Sequence, residues 1–257
     1  MLQTLYRKLI PQTLRSKIYQ WRTSNEVSLP KYDCPICKSE QIVFNDFGSP
    51  ARKNVMCTTC GSLERNRALW LFLNDETNIF TENITLLHVA PEKIFFDKFN
   101  QQENLIYIYG NKFEKGFENL YPEGTRSLDI TDLKDFEDNS IDAVICSHVL
   151  EHVPEDAKAM KQFLRVLKPN GWAVLLVPID YNRETTYEDW SITSEEERKK
   201  HFGQEDHVRW YGRDYPNKLE EAGFDVTIYD TEKELSTEIQ EKYRLVDEKI
   251  YFCVKPN

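Results

Sequence analysis

The chain has 257 residues, room for one α/β domain plus a small module. Apolar residues make up 40% and charged residues 30%, an ordinary balance for a protein with a packed core. The net charge of −10 argues against a broad phosphate-backbone-binding face, and no apolar run approaches the ~20 residues that span a bilayer. No signal-peptide core follows Met1, so the expected location is cytoplasmic.

Leu2, Leu5, Tyr6, Leu9, Leu14, Ile18 and Trp21 recur at helical spacing, interrupted by Pro11. Residues 1–25 carry Arg7, Lys8, Arg15, Lys17 and Arg22 and no acid. One reading of residues 1–22 is a peripheral helix that touches an anionic membrane or a partner protein. The other, which we favour, is a helix packed on its own acidic body. This segment is taken as residues 1–29.

Cys34-Pro-Ile-Cys37 and Cys57-Thr-Thr-Cys60 follow, within a module expected over 30–62. Two C-x-x-C pairs can present four thiolates to Zn²⁺ in a closed, structural, tetrahedral site. Unpaired structural thiols or a redox pair are the alternatives, and the doubled pair favours zinc. Cys146 and Cys253 sit in apolar runs and read as core.

Gly61-Ser62 starts a connecting helix over 63–80, with Leu63, Leu69, Trp70, Phe72 and Leu73 as its apolar stripe. On it, Arg65 and Arg67 are candidates to hold an anionic substrate group. Residues 84–90 (I-T-L-L-H-V-A), 105–109 and 127–130 read as the first three strands of a sheet that runs through 81–257.

Ile141, Ala143, Val144, Ile145 and Cys146 suit a strand buried on both faces. The polar cluster Ser147, His148, Glu151 and His152 follows at once. Pro154-Glu155-Asp156 opens a helix with Ala157, Met160, Phe163, Leu164 and Leu167 on one face. Lys168-Pro169-Asn170-Gly171 should turn the chain into a strand from Trp172 to Val177. Strand, loop, helix and strand make a βαβ unit, and ligands sit beyond the carboxyl ends of such strands.

The run D-N-S-I-D-A-V-I-C-S-H-V-L-E-H-V, followed by L-R-V-L-K-P-N-G-W, resembles class I S-adenosylmethionine-dependent methyltransferases of the type-11 group. The resemblance implies a Rossmann-like α/β fold: a mostly parallel seven-stranded sheet with an antiparallel last strand. It also implies S-adenosylmethionine as cofactor. Ser147 and His148 would flank the methyl donor. Val89, Ala90, Pro91 and Glu92 would line its pocket, although the family places an acid and glycines where this chain has His88, Ala90, Glu92 and Ile94. The loop is similar to the L-H-x-A-P-E loops of zinc-ribbon-bearing members. Asn111 replaces the acid that holds the ribose, and Asp129 with Ile130 would meet the adenine. Asp129 could instead cap the turn at Thr131.

Residues 180–211 are a long, aromatic-rich stretch and are expected to form a lid over the acceptor. Tyr181, His207 and Arg209, with Arg67, are the substrate-side candidates. Tyr215 to Ala222 is a helix stopped by Gly223, and residues 224–229 and 249–254 are the last strands, an antiparallel edge. Methyl transfer to a hydroxyl or amine needs a base, for which His148, His152, Asp180 and His207 are candidates. The leading expectation is transfer to a small polar acceptor such as a sugar. The alternatives are a zinc-ribbon RNA methyltransferase, gripping RNA through Lys31, Lys38, Arg52, Lys53, Arg65 and Arg67, and a non-catalytic binding protein that kept the fold.

Overall fold

A computed structural model describes residues 32–48, 50–112 and 121–257. The amphipathic segment expected over 1–22, with its membrane or partner contact, lies outside the described residues. Among the described helices none is long and apolar enough to cross a membrane.

The amino-terminal module contains two small antiparallel pairs. One joins β1 (Tyr32–Asp33) to β2 (Glu40–Gln41), and the other joins β3 (Asn45–Phe47) to β4 (Arg52–Met56). Helix α1 (Glu64–Asp75) leaves this module and is buried on almost every side. Phe72 packs edge-on against Tyr229 and Phe252, and Trp70 against Phe80. The helix therefore wedges the module against the sheet.

The remaining strands are β5 (Ile84–Val89), β6 (Leu105–Asn111), β7 (Arg126–Ser127), β8 (Ile141–Ser147), β9 (Leu167–Leu176), β12 (Asp225–Asp230) and β13 (Lys249–Val254). They form one seven-stranded sheet in the order β7-β6-β5-β8-β9-β13-β12. All neighbours are parallel except β13, which is antiparallel to both β9 and β12. This is the expected sheet, mostly parallel with an antiparallel last strand. In β8, Ala143, Val144, Ile145 and Cys146 are at most 1% exposed, as expected for a β-branched run covered on both faces.

Helices α2 (Lys93–Phe99), α3 (Asp156–Val166) and α5 (Tyr215–Ala222) complete the crossovers. The face of α3 is shifted from expectation. Ala159, Met160, Phe163 and Val166 are buried while Ala157 is exposed. The Lys168–Gly171 turn is also different: it is the bulged start of β9. The tail holds it there, through Asn170 N–H to Lys255 O at 3.0 Å and Lys255 N–H to Gly171 O at 2.9 Å. A side chain at Gly171 would sit 2.8 Å from Lys168 O, so the close approach requires glycine.

Residues 180–211 are ordered. A short pair, β10 (Tyr187–Glu188) with β11 (Arg209–Trp210), frames helix α4 (Glu195–Phe202). Ser194 caps α4 at its start, and Gly203 ends it at φ +89°.

Candidate functional site

Chain direction around the sheet reverses between β5 and β8, so their carboxyl ends form the topological switch point. Each end turns through a non-glycine residue in the left-handed region, Ala90 at φ +49° and His148 at φ +55°. Such strain costs roughly 1–3 kcal/mol per residue and concentrates at binding sites. Backbone bonds hold both: Ala90 N–H donates to Gly110 O and His148 N–H to Leu176 O, each at 2.8 Å.

Val89 and Pro91 are buried, and Ala90 and Glu92 are half-buried at this edge. The Glu92 carboxylate accepts from Asn66 Nδ2 at 3.0 and 3.1 Å and lies 3.6 Å from Arg65 Nη2. Thus the first turn of α1 reaches the loop after β5. Asn111 ends β6, and its amide nitrogen donates to Lys112 O at 3.1 Å. Asp129 Oδ1 accepts from Thr131 N–H and Oγ1, and Oδ2 pairs with Lys112 Nζ at 2.9 Å. These bonds, the Thr131 hydroxyl first, pull the Asp129 carboxyl down to about 2. Asp129 therefore caps the turn and keeps one outward oxygen; Ile130 behind it is 5% exposed. His88, where the resemblance calls for an acid, points into the core. It is 1% exposed and shares a 2.8 Å bond with the Tyr107 hydroxyl, and burial pushes its pKa down to about 3.

This edge fits a nucleoside sulfonium chemically. It combines carboxylates (Glu92, Asp129), an amide (Asn111) and a small residue, Ala90, at the tightest turn.

Ser147 is half-buried at the end of β8, and the loop beyond it gathers histidines around one acid. Glu151 is 1% exposed. Its Oε1 lies 3.5 Å from His148 Nδ1, 3.9 Å from His152 Nε2 and 4.0 Å from His207 Nε2. Glu151 Oε2, His148 Nε2 and His207 Nε2 are buried without a hydrogen-bond partner. His207 Nδ1 bonds Phe202 O at 3.0 Å, and burial first of all lowers its pKa.

Two candidate roles need correction. Arg67 is fully buried and donates to the backbone carbonyls of Ser62, Val55, Tyr243 and Arg244, so it cannot meet a substrate. Two residues along a helix turn the side chain by about 200°, which leaves Arg65 on the cleft side. Arg209, 1% exposed, donates to Leu150 O, Val153 O and Pro154 O and pairs with Glu188. It is a strut between the 180–211 excursion and the loop after β8. Asp180 accepts from Asn182 through one oxygen and pairs with Arg183 through the other, which shapes a turn. Tyr181 is 47% exposed, with its hydroxyl 3.4 Å from that of Tyr251.

Sequence patterning did not single out Glu64, Asn66 or Glu248. Glu64 is 1% exposed with Oε2 unpartnered, and burial raises the pKa of Glu248 within electrostatic reach of His148 and Arg65. Acids in a buried first turn and just before a strand were the only available signal.

The cysteine turns are near copies. Cys34 N–H donates to Ser39 O and Cys57 N–H to Ser62 O, each at 2.9 Å; Cys34 O and Cys57 O accept from Lys38 and Gly61 at 2.8 and 2.9 Å. Lys38 and Gly61 both have positive φ. Cys34–Cys60 and Cys37–Cys57 sulfurs are 3.6 and 3.7 Å apart, and all four lie within 4.8 Å of one another. A tetrahedral ion with bonds of about 2.3 Å sets sulfurs about 3.8 Å apart, so the donor set fits one.

The strand order, the switch point and the antiparallel β13 fit a Rossmann-like fold of the class I methyltransferase type. Consistent with this, residues 108–175 match a family model described as a methyltransferase domain. Among solved structures, the cyclase SpnF is similar at TM-score 0.50 and 14% identity, covering 76% of this chain and 84% of its own. An S-adenosylmethionine-dependent methyltransferase from Archaeoglobus fulgidus is similar at 0.49 and 17%, covering 73% and 93%. The YcgJ protein from Bacillus subtilis is similar at 0.48 and 12%, covering 75% and 99%. No curated protein sequence matches the chain significantly.

Proposed function

We propose that this chain is an S-adenosylmethionine-dependent methyltransferase acting on a small polar acceptor, a sugar hydroxyl being the favoured target. The observation that carries the reading is the pair of left-handed residues, Ala90 and His148, one just beyond the carboxyl end of each switch-point strand. When bound, the cofactor supplies an electrophilic methyl group. Ala90, Glu92, Asn111, Asp129 and Ile130 would hold it, and Ser147 and His148 would border its reactive end. Of the base candidates, His148 is favoured. Its Nε2 has no partner and its Nδ1 faces Glu151, so the acid can orient the ring and stabilise the imidazolium. Arg65 and Tyr181 would line the acceptor side. Tight alignment of acceptor and donor can contribute about 7–11 kcal/mol, and base catalysis about 10²–10⁴ in rate.

A structural Zn²⁺ on Cys34, Cys37, Cys57 and Cys60 belongs to this reading. The sulfur tetrahedron and the two matching turns support it. An RNA substrate is disfavoured. In the stretch proposed to grip it, Arg52 pairs with Glu64, Lys53 with Asp46 and Arg65 with Glu92, and Arg67 is buried. The non-catalytic reading stands on the missing glycines and on Asn111, and SpnF shows that the fold also serves a cyclase.

Calorimetry with S-adenosylmethionine and its demethylated product tests the proposal. Binding of both at micromolar concentration is expected, and no heat at millimolar ligand would remove both enzyme readings. Transfer of labelled methyl to a sugar fraction, with none to RNA, is the expected second result.

A further inference from the structure

The acid that faces His148 also faces two further histidines. Glu151 is 1% exposed, and its Oε2 has no hydrogen-bond partner. His207 is 4% exposed, with Nδ1 committed to Phe202 O at 3.0 Å and Nε2 unpartnered. His152 places Nδ1 3.2 Å from Asp206 Oδ2 and presents Nε2 to Glu151. The two imidazole rings meet edge to face, 4.7 Å between centroids at 87°. The ligand-type atoms of Glu151, His152 and His207 all lie within 4.8 Å of one another.

A buried carboxylate that faces ring nitrogens at 3.9 and 4.0 Å is too distant for the 2.7–2.9 Å charge-assisted bonds such groups form. Left so, it would cost several kcal/mol. Around an ion with bonds of about 2.0–2.2 Å, neighbouring ligand atoms lie roughly 3.4 Å apart in a tetrahedral arrangement. A contraction of about 0.5 Å would bring the carboxylate oxygen and each ring nitrogen to that spacing. Each imidazole also carries the outer partner that metal-bound histidines use, a carboxylate for His152 and a backbone carbonyl for His207.

We propose that Glu151, His152 and His207 form a second metal site, a two-histidine, one-carboxylate set for a divalent transition ion. His148 and His152, about one-third exposed, leave the site open to solvent on one side, where a further ligand oxygen can bind. This donor set is nitrogen and oxygen only, so it differs in kind from the four-thiolate cluster. The site does not depend on the methyl-donor reading.

Titration of the metal-stripped full chain with Co²⁺ tests it. Cobalt at the cysteines gives a thiolate charge-transfer band. The second site gives a further equivalent with visible absorption and no thiolate band. In H207A and H152A the further equivalent should be lost while the thiolate band stays, which shows that the chain is folded. Asp206 is exposed, so D206N leaves folding intact; it should weaken the further equivalent about 10–100-fold. Absence of a nitrogen- and oxygen-bound equivalent in the wild type would overturn the site. So would the same equivalent, undiminished, in H207A and D206N.

Discussion

Asn66 Nδ2 donates to both carboxylate oxygens of Glu92, while Asn66 Oδ1 accepts the N–H of Leu63 at 2.9 Å. The second bond fixes which way the amide faces, so the first must be a donation. The start of α1 and the loop after β5 are thus joined by one side chain. N66A should destabilise the protein by about 1.5–3 kcal/mol, the range for a bond to a charged group. It should also weaken S-adenosylmethionine binding, because Glu92 is released. Urea unfolding and calorimetry read the two effects. Unchanged affinity would separate Glu92 from the donor site.

Arg67 and Arg65 should behave oppositely. R67A strands four backbone carbonyls in the interior and should cost about 3–5 kcal/mol. R67K keeps the charge but not the planar fork and should recover little. R65A should change stability by no more than about 0.5 kcal/mol while raising the acceptor KM. An unfolded R65A, or a silent R67A, would reverse the assignment.

His88 gives the stability a defined pH dependence. Its folded pKa is depressed to about 3 by burial, below the unfolded value near 6.5. The unfolded state therefore binds the extra proton between these values. Stability contributed by the neutral ring is present above pH 6.5 and is lost as pH falls toward 3, at up to about 1.4 kcal/mol per pH unit. H88Q should show a shallower decline between pH 6.5 and 5 than the wild type. Parallel curves for the two would refute a buried neutral ring.

Removing metal from the cysteine cluster should lower the melting temperature by several degrees and release about one Zn²⁺ per chain. C37S should do the same without chelator. An unchanged melting curve after chelation would sink the zinc assignment.

The sheet was legible because β-branched apolar runs such as Ile141–Cys146 have few other uses. The cysteine turns were legible because their spacing is local. What failed depended on phase or on distant partners. Arg65 and Arg67 look alike in a linear string, and only the start of α1 decides which one is buried. Arg209 looked like a free cation because its acceptors, the carbonyls of 150–154, lie more than fifty residues away. His207 was singled out for its aromatic setting, but its approach to Glu151 arises only once α4 folds back. The start of β9 at Leu167 depends on the tail at Lys255, which no local pattern announces.

Strand β13 lies between β9 and β12, although it is the last strand in the chain. During synthesis β12 emerges with no neighbour to bond, and one edge of β9 stays bare until residues 249–254 follow. The carbonyls of Tyr243 and Arg244 that receive Arg67 arrive equally late. A nascent chain stalled before residue 243 would therefore lack both the inner strand and the anchor of the cysteine module.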